Sequence, residues 1–270
     1  MILNYPSDVK TEKEKLDYIV KNEDLIFDQA KTMFKKADGF GGAVTVLRDM
    51  NTTKAVKAED LLEKDSIEAK LAINTTNVLD SHGDLHLNGM WDKSIKETGS
   101  RVLHLQEHKR TFKDTIARGK NLKVYTETVA WKDLGFKMDG ETEVLTFDSN
   151  ILKSENDYMF GEYAKGNVSE HSVGMMYVKM ATCINDEDYP VQKENWDKYA
   201  PMVANKSALK STNVFWAVSE AKVIEGSAVP LGSNSFTPTV SIKEIEVTDH
   251  VDLTDEQIKE NATKAWLNIK

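Results

Sequence analysis

Four of the six histidines in this 270-residue chain fall into two His-x-x-x-His pairs, His82 with His86 and His104 with His108. Two histidines at this spacing share one face of a helix and can bind a metal ion. The second pair also fits the His-x-x-Glu-His pattern of inverted zinc peptidases, in which the glutamate activates water. That pattern needs a helix and a third ligand, whereas residues 101–103 are strand-like and no third ligand is evident downstream. No metal site is therefore predicted, and a zinc peptidase using His104 and His108 remains an alternative.

The first histidine pair lies in and beside the segment Asp-Ser-His-Gly-Asp at 80–84. This composition is typical of a turn between strands. We therefore interpret His82 and His86 as exposed loop residues without a role in the chemistry.

Ser172 begins an apolar stretch in the segment Glu-His-Ser-Val-Gly-Met at 170–175. A serine hydroxyl becomes a nucleophile when a base, usually a histidine, lies within hydrogen-bond reach and a third group orients that base. His171 is a poor base for it, because adjacent residues of a strand point to opposite faces of the sheet. His104 or His108 could supply the base from a neighbouring strand. An ordinary solvated serine is the competing interpretation.

These candidates lie in the central part of the chain, where strand patterns dominate. Alternating and β-branched segments predict strands over 66–73, 102–105, 122–129, 173–180 and 214–229. One helix is predicted among them, with Ser154 as its cap and Gly166 at its end. The polar segment 182–213 is predicted to be a surface excursion between two strands. This element order predicts an α+β fold built on an antiparallel sheet or barrel.

Both ends of the chain have helical patterns. Thr11 and Glu14 form a capping box, and the polar triplet 22–24 divides the apolar stripe that follows into two short helices. Thr254 and Gln257 form a second capping box before an amphipathic helix at the carboxyl end. We divide the chain into an N-terminal helical extension (1–64), a central domain (65–240) and a C-terminal helical tail (241–270).

The composition excludes several classes of protein. Hydrophobic residues make up 40% of the chain and charged residues 29%, which rules out a wholly disordered protein. A net charge of −9 argues against a general affinity for nucleic-acid phosphate, so no nucleic-acid partner is predicted. No apolar run approaches the roughly 20 residues that span a bilayer, and the first residues lack a signal-peptide pattern, so no membrane partner is predicted. The single Cys183 cannot form an intramolecular disulfide.

Four motifs follow one another along the central part of the chain. They are an Asp-rich turn at 80–89, a histidine ending a Leu-containing strand at 102–108, a Ser-Val-Gly strand at 171–175 and a Glu-x-Ser-x-Val segment at 225–229. Their order resembles the tailed-phage prohead (capsid maturation) protease family, which is related in fold to the herpesvirus assemblin proteases. Each motif alone is weak evidence, and the specificity comes from the combined order over roughly residues 65 to 240.

The resemblance implies a Ser-His-Glu triad. It places the nucleophile at Ser172, the general base at His108 and the orienting carboxylate at Glu225. His104 is the alternative base, since on a regular strand it would project from the same side as His108. Glu220 is the alternative carboxylate, and its odd spacing from Glu225 predicts that only one of the two faces His108.

The resemblance also implies a function, namely a serine endopeptidase of bacteriophage procapsid maturation. Its expected protein substrates are the scaffold, the amino-terminal segment of the major capsid protein and the protease itself. It implies no cofactor, a location inside the procapsid in the host cytoplasm, and self-association like that of the related herpesvirus enzymes. The competing hypothesis is a catalytically inactive protease-like scaffold or assembly protein, because a fold does not fix a function.

Overall fold

The computed structural model describes residues 5–32, 35–36 and 57–244. Its strands are β1 (Lys35–Lys36), β2 (Ser66–Thr75), β3 (Asp84–His86), β4 (Leu103–Gln106), β5 (Thr115–Arg118), β6 (Leu122–Ala130), β7 (Glu141–Leu152), β8 (Glu170–Ile184), β9 (Val214–Val229) and β10 (Thr239–Glu244). Its α-helices are α1 (Glu12–Lys21), α2 (Glu23–Thr32), α3 (Ala58–Leu62), α4 (Asp92–Thr98), α5 (Asp157–Ala164), α6 (Pro190–Tyr199) and α7 (Lys206–Leu209). Single 3-10 turns lie at Gly99–Arg101, Gly119–Asn121, Trp131–Leu134 and Ala200–Met202.

The strands form two sheets, so the chain has an α+β fold. The first sheet has the order β1-β8-β9-β4-β5, with β3 also paired to β9, and the second has the order β10-β2-β7-β6. The second sheet is antiparallel throughout. The first is mixed, because β9 pairs antiparallel with β8 but parallel with β3 and β4. Neither sheet closes into a barrel within the described ranges, and only the second sheet is antiparallel throughout, so the predicted antiparallel sheet is observed in part.

The main core lies between the two sheets. Apolar side chains of β2 and β7 pack there with those of β8, β9 and helix α5. The two sheets approach closely at Gly226 of β9, since a Cβ at this position would lie 2.6 Å from Phe147 Cε2 and 2.8 Å from Ile73 Cγ2. The first sheet is therefore held against the second directly behind the strand segment that carries Glu225.

Most of the predicted strands are confirmed. The alternating segment 66–73 forms most of β2, in which Ile67, Ala69 and Leu71 are buried. The predicted helix is α5, which begins later than its apolar pattern suggested. Its N-cap is Asn156, whose side chain accepts the Met159 N–H at 3.0 Å, so the prediction of Ser154 as the cap was wrong.

The two N-terminal helices are also confirmed. Thr11 and Glu14 make both bonds of the capping box of α1, and Asn22 separates this helix from α2. The apolar face of α1 packs on the protein, where Leu16 lies against Ile184 and Tyr189. The predicted C-terminal helix lies outside the described residues, and the division of the chain into three parts stays a prediction.

The polar segment between β8 and β9 is an excursion, as predicted, but it is not an irregular loop. It contains α6 and α7, and Trp196 of α6 packs against Phe215 of β9 with ring centroids 4.9 Å apart. Trp196 and Val203 join Cys183 of β8 and Leu85 of β3 in one apolar cluster, so the excursion packs against the first sheet. None of the helices described is long and apolar enough to cross a membrane.

Candidate active site

Three side chains that the sequence singles out are joined by hydrogen bonds, with His108 between Ser172 and Glu225. The Oγ of Ser172 is 3.0 Å from Nε2 of His108, and Nδ1 of the same ring is 2.5 Å from Oε1 of Glu225. All three residues are buried, with 2%, 3% and 0% of their surfaces exposed, respectively. A hydroxyl, an imidazole and a carboxylate in this order can serve as the nucleophile, base and orienting group of a serine hydrolase.

The register of the first sheet brings Ser172 and Glu225 to one face. Ser172 of β8 lies directly opposite Ser227 of β9, and residues directly opposite each other project to the same face. Glu225 is two residues before Ser227 in β9, so it shares that face. The adjacent His171 points to the other face, as predicted, where its Nε2 is 3.0 Å from the hydroxyl of Tyr163.

His108 reaches the same face through a turn after β4. The strand ends at Gln106, and the next two residues, Glu107 and His108, have left-handed backbones with φ of 50° and 58°. Such φ values are uncommon for residues other than glycine, so neighbouring contacts must hold them. The Glu107 N–H donates to the Ala228 carbonyl at 2.9 Å, and the His108 N–H donates to Ser227 Oγ at 3.1 Å.

The direction of the hydrogen bonds through the site follows from the chemistry of the groups. A carboxylate only accepts hydrogen bonds, so Glu225 as a carboxylate accepts the Nδ1–H of His108. With Nδ1 as the donor, a neutral ring has its lone pair on Nε2, which accepts the hydroxyl proton of Ser172. This tautomer is the one in which an imidazole can take a proton from a serine.

His104 lies apart from these three residues, so it is not the base for Ser172. Its side chain projects toward the second sheet, where Nδ1 is 2.8 Å from Ser149 Oγ and Nε2 is 3.0 Å from the hydroxyl of Tyr163. The prediction that it shares a side with His108 was wrong, because the left-handed turn ends the regular alternation of β4 between them.

The partners of His104 form a continuous chain of hydrogen bonds. His171 Nδ1 donates to the Thr237 carbonyl at 3.1 Å, and Nε2 of the same ring is bonded to the hydroxyl of Tyr163. The Tyr163 hydroxyl in turn is bonded to Nε2 of His104, and His104 Nδ1 to Ser149 Oγ. Burial, reinforced by His171, holds the pKa of His104 well below its usual value, while burial raises the pKa of Tyr163 well above its own.

Glu220 also lies away from His108. It forms ion pairs with Lys179 and with Lys93, the second at 3.3 Å. The hydrogen bond from Lys179, reinforced by Lys93, lowers the pKa of its carboxyl group. Only Glu225 of the two glutamates faces His108, as predicted, but strand spacing is not the reason, because a register shift between Val223 and Glu225 interrupts the alternation on which that argument depends.

The zinc interpretation of His104 and His108 finds no support in their geometry. The segment is a strand followed by a turn rather than a helix, and the two rings lie on opposite faces of the sheet. The ring nitrogens of each histidine are engaged by separate sets of partners.

The turn at 80–84 has the predicted shape, but the prediction for His86 was wrong. His86 is buried, with Nδ1 2.9 Å from the side-chain amide nitrogen of Asn74. Asp80, His82 and Asp84 place potential ligand atoms within 4.8 Å of one another. The carboxylate of Asp80 instead accepts the backbone N–H groups of His82 and Asp84, which is the ordinary bonding of a turn.

Sequence reasoning gave no role to two buried residues, one in the candidate site and one behind it. Ser227, part of the Glu-x-Ser-x-Val segment, contacts both Glu225 and the backbone of His108. Tyr163 of helix α5 has a hydroxyl that joins His104 to His171. The signal in each case was a polar group at a buried position, which requires a hydrogen-bond partner.

Comparison of the chain with family models, with curated proteins and with solved structures returns no match. The geometry of the site and the order of its motifs are therefore what support a function.

Proposed function

We propose that the chain is a serine endopeptidase in which Ser172, His108 and Glu225 form the catalytic triad. The observation that carries the proposal is the continuous line of hydrogen bonds from Ser172 Oγ through both nitrogens of His108 to Glu225. These residues come from three distant parts of the chain, and a buried arrangement with this order and tautomer matches what nucleophilic catalysis by serine requires.

In the proposed reaction, Ser172 Oγ attacks the scissile carbonyl while His108 Nε2 accepts its proton. Glu225 stabilises the resulting imidazolium through its bond to Nδ1. The imidazolium returns the proton to the leaving amine, and an acyl group stays on Ser172. A water molecule, deprotonated by His108, then hydrolyses this ester and restores the serine. The three side chains supply these steps without a cofactor.

We further propose that the peptidase is of the prohead type, with an assemblin-like core. The support is the order of the four motifs, together with the way two of them, the His strand and the Glu-x-Ser-x-Val segment, converge on Ser172. Its substrates would be the scaffold, the amino-terminal segment of the major capsid protein and its own chain, inside the procapsid in the host cytoplasm. Self-association belongs to the same proposal.

Labelling with a fluorophosphonate tests the catalytic proposal directly, because this probe reacts with an activated serine. The unsubstituted chain, alone or assembled with the capsid protein, should be labelled at Ser172, and Ser172→Ala should lose the label without loss of folding. Coexpression with the capsid protein should show processing that Ser172→Ala abolishes. Processing by the Ser172→Ala chain at the original rate would remove Ser172 from the mechanism.

A catalytically inactive scaffold is the second candidate, and the burial of Ser172 favours it. With 2% of its surface exposed, Ser172 offers a substrate little access in this conformation. A latent protease would gain labelling at Ser172 on assembly with the capsid protein, whereas a scaffold would stay unlabelled in both conditions. Comparing the label before and after assembly separates the two.

A further inference from the structure

Ser227 lies at the centre of the candidate site and has no part in the reaction described above. It belongs to β9, between β8 and β4, and lies directly opposite Ser172 in the sheet register. None of its surface is exposed. A serine hydroxyl buried this completely needs partners for its proton and its lone pairs.

Both partners of the Ser227 hydroxyl belong to the proposed triad. Its Oγ donates to Glu225 Oε2 at 2.6 Å and accepts the backbone N–H of His108 at 3.1 Å. A hydroxyl has one proton and two lone pairs, so it makes both bonds at once. The Glu225 carboxylate thereby receives one hydrogen bond on each oxygen, from Ser227 and from the His108 ring.

We propose that Ser227 is a positioning residue, which fixes the Glu225 carboxylate and the His108 backbone in one geometry. This inference rests on the proposed function of the triad. A rotation of the Glu225 carboxylate would break the bond from Ser227, so the hydroxyl selects the orientation in which Oε1 faces the imidazole. The same hydroxyl anchors the main chain from which that imidazole projects.

The backbone of His108 shows why such an anchor is needed. Glu107 and His108 are both left-handed, a conformation that persists when surrounding contacts over-determine it. Two consecutive residues of β9 supply those contacts, the hydroxyl of Ser227 to the His108 N–H and the carbonyl of Ala228 to the Glu107 N–H. The Ser227 hydroxyl is the only one of these groups that a side-chain substitution can remove.

The intervening Gly226 and the alternation of β9 explain the sequence Glu-Gly-Ser. Glu225 and Ser227 face the site, while residue 226 faces Phe147 and Ile73 of the second sheet, with no room for a side chain. The backbone that carries Glu225 and Ser227 is thus backed by the core. Loss of the hydroxyl should therefore disturb Glu225 and His108 more than the course of the strand.

Replacing Ser227 by Ala removes both bonds and leaves the Glu225 Oε2 and the His108 N–H without this partner. We expect the second-order rate of fluorophosphonate labelling at Ser172 to fall about 10²-fold, as a small misplacement of a reacting group does. Ser227→Thr keeps a hydroxyl at the same atom and should recover at least part of that loss. Ser94→Ala is the matched control, because Ser94 is also buried and its Oγ accepts a β9 backbone N–H, from Val223 at 2.9 Å.

A role in general stability alone would lower the melting temperature of both alanine variants and leave the labelling rate of each folded protein unchanged. The proposal is overturned if Ser227→Ala and Ser94→Ala are labelled at the same rate as the unsubstituted chain.

A second measurement tests the positioning role of Ser227 independently of the proposed function. The Nδ1 proton of His108, bonded to Glu225, should give a low-field proton resonance that moves or disappears in Ser227→Ala and stays in place in Ser94→Ala. If the unsubstituted chain takes no label even on assembly, the catalytic proposal fails while this resonance still decides the role of Ser227. An unmoved resonance in Ser227→Ala would contradict the positioning role whatever the labelling shows.

Discussion

His104 and His108 are four residues apart in sequence, yet their rings lie on opposite faces of the first sheet. His104 is within the regular part of β4 and bonds to Ser149 and Tyr163 on the side of the second sheet. His108 is the second of two consecutive left-handed residues, and its ring bonds to Ser172 on the other face of the sheet. The turn after β4 therefore assigns the two histidines different roles, one in the core and one beside the candidate nucleophile.

This separation predicts opposite outcomes for the two histidines. His108→Gln should abolish fluorophosphonate labelling at Ser172, because no other described ring nitrogen lies within reach of its hydroxyl, and loss of the base costs at least about 10³-fold. His104→Gln should keep the label on folded protein but lower the free energy of unfolding by about 1–3 kcal/mol, since it breaks a buried hydrogen-bond chain. Fluorophosphonate labelling and urea unfolding of both variants test these two expectations.

The contrary result would be equally clear. If His104→Gln stays folded but loses the label while His108→Gln keeps it, the base has been assigned to the wrong histidine. Loss of activity on chelation, with Ser172→Ala still active, would restore the zinc alternative.

The two glutamates of β9 give a second matched comparison. Glu225→Gln can no longer stabilise the imidazolium of His108, and its amide can present a donor to Nδ1, so the labelling rate should fall by about 10²- to 10⁴-fold. Glu220→Gln breaks partly exposed ion pairs with Lys93 and Lys179 and should leave the rate close to that of the unsubstituted chain. Equal effects of the two substitutions on the rate would contradict the role given to Glu225.

The strands were predictable from the sequence, whereas their pairing and the connections between them were less so. Strands such as 214–229 were predictable because long runs of β-branched and aromatic residues have few other uses. The parallel pairing of β9 with β3 and β4 was not predictable, because strand partners depend on contacts between distant segments. The helices of the 185–213 excursion were missed since their apolar residues, such as Trp196, are widely spaced among charges.

The candidate site, like the fold, could be predicted from the sequence only in part. Residue types and motif order indicated Ser172, His108 and Glu225, but left His104 as an alternative to His108. The choice depends on the φ of two residues, and no pattern in Gln106-Glu107-His108 predicts a left-handed backbone for non-glycine residues. Spacing on a regular strand failed in both comparisons, since a left-handed turn ends the alternation between the two histidines and a register shift in β9 interrupts it between Glu220 and Glu225.

The low pKa of His104 predicts that the protein loses stability in mild acid. The folded chain keeps His104 neutral, whereas the unfolded chain binds a proton below about pH 6.5. The free energy of unfolding should therefore decrease as the pH falls below that value, by at most about 1.4 kcal/mol per pH unit for this one group. Urea unfolding between about pH 7.5 and pH 5.5 measures the slope. His104→Gln should have a shallower slope, and an identical slope would show that His104 is not the group responsible.

Substitution of Gly226 by alanine is expected to overpack the core directly behind the site. A Cβ at this position would lie 2.6 Å from Phe147 Cε2 and 2.8 Å from Ile73 Cγ2, so Gly226→Ala must push the two sheets apart. Overpacking of this kind costs about 1–3 kcal/mol of unfolding free energy. The same displacement would move Glu225 and Ser227, and the labelling rate at Ser172 should fall with the stability.

Gly161, inside helix α5, is the control for that substitution. A Cβ there would meet nothing closer than Lys165 Nζ at 3.9 Å, and alanine is favoured over glycine within a helix by about 0.5–1 kcal/mol. Gly161→Ala should therefore raise the melting temperature and leave labelling unchanged, whereas Gly226→Ala should lower both. If Gly226→Ala were as stable as the unsubstituted chain, the tight contact between β9 and the second sheet would be refuted, and with it the rigid support that we assign to Glu225 and Ser227.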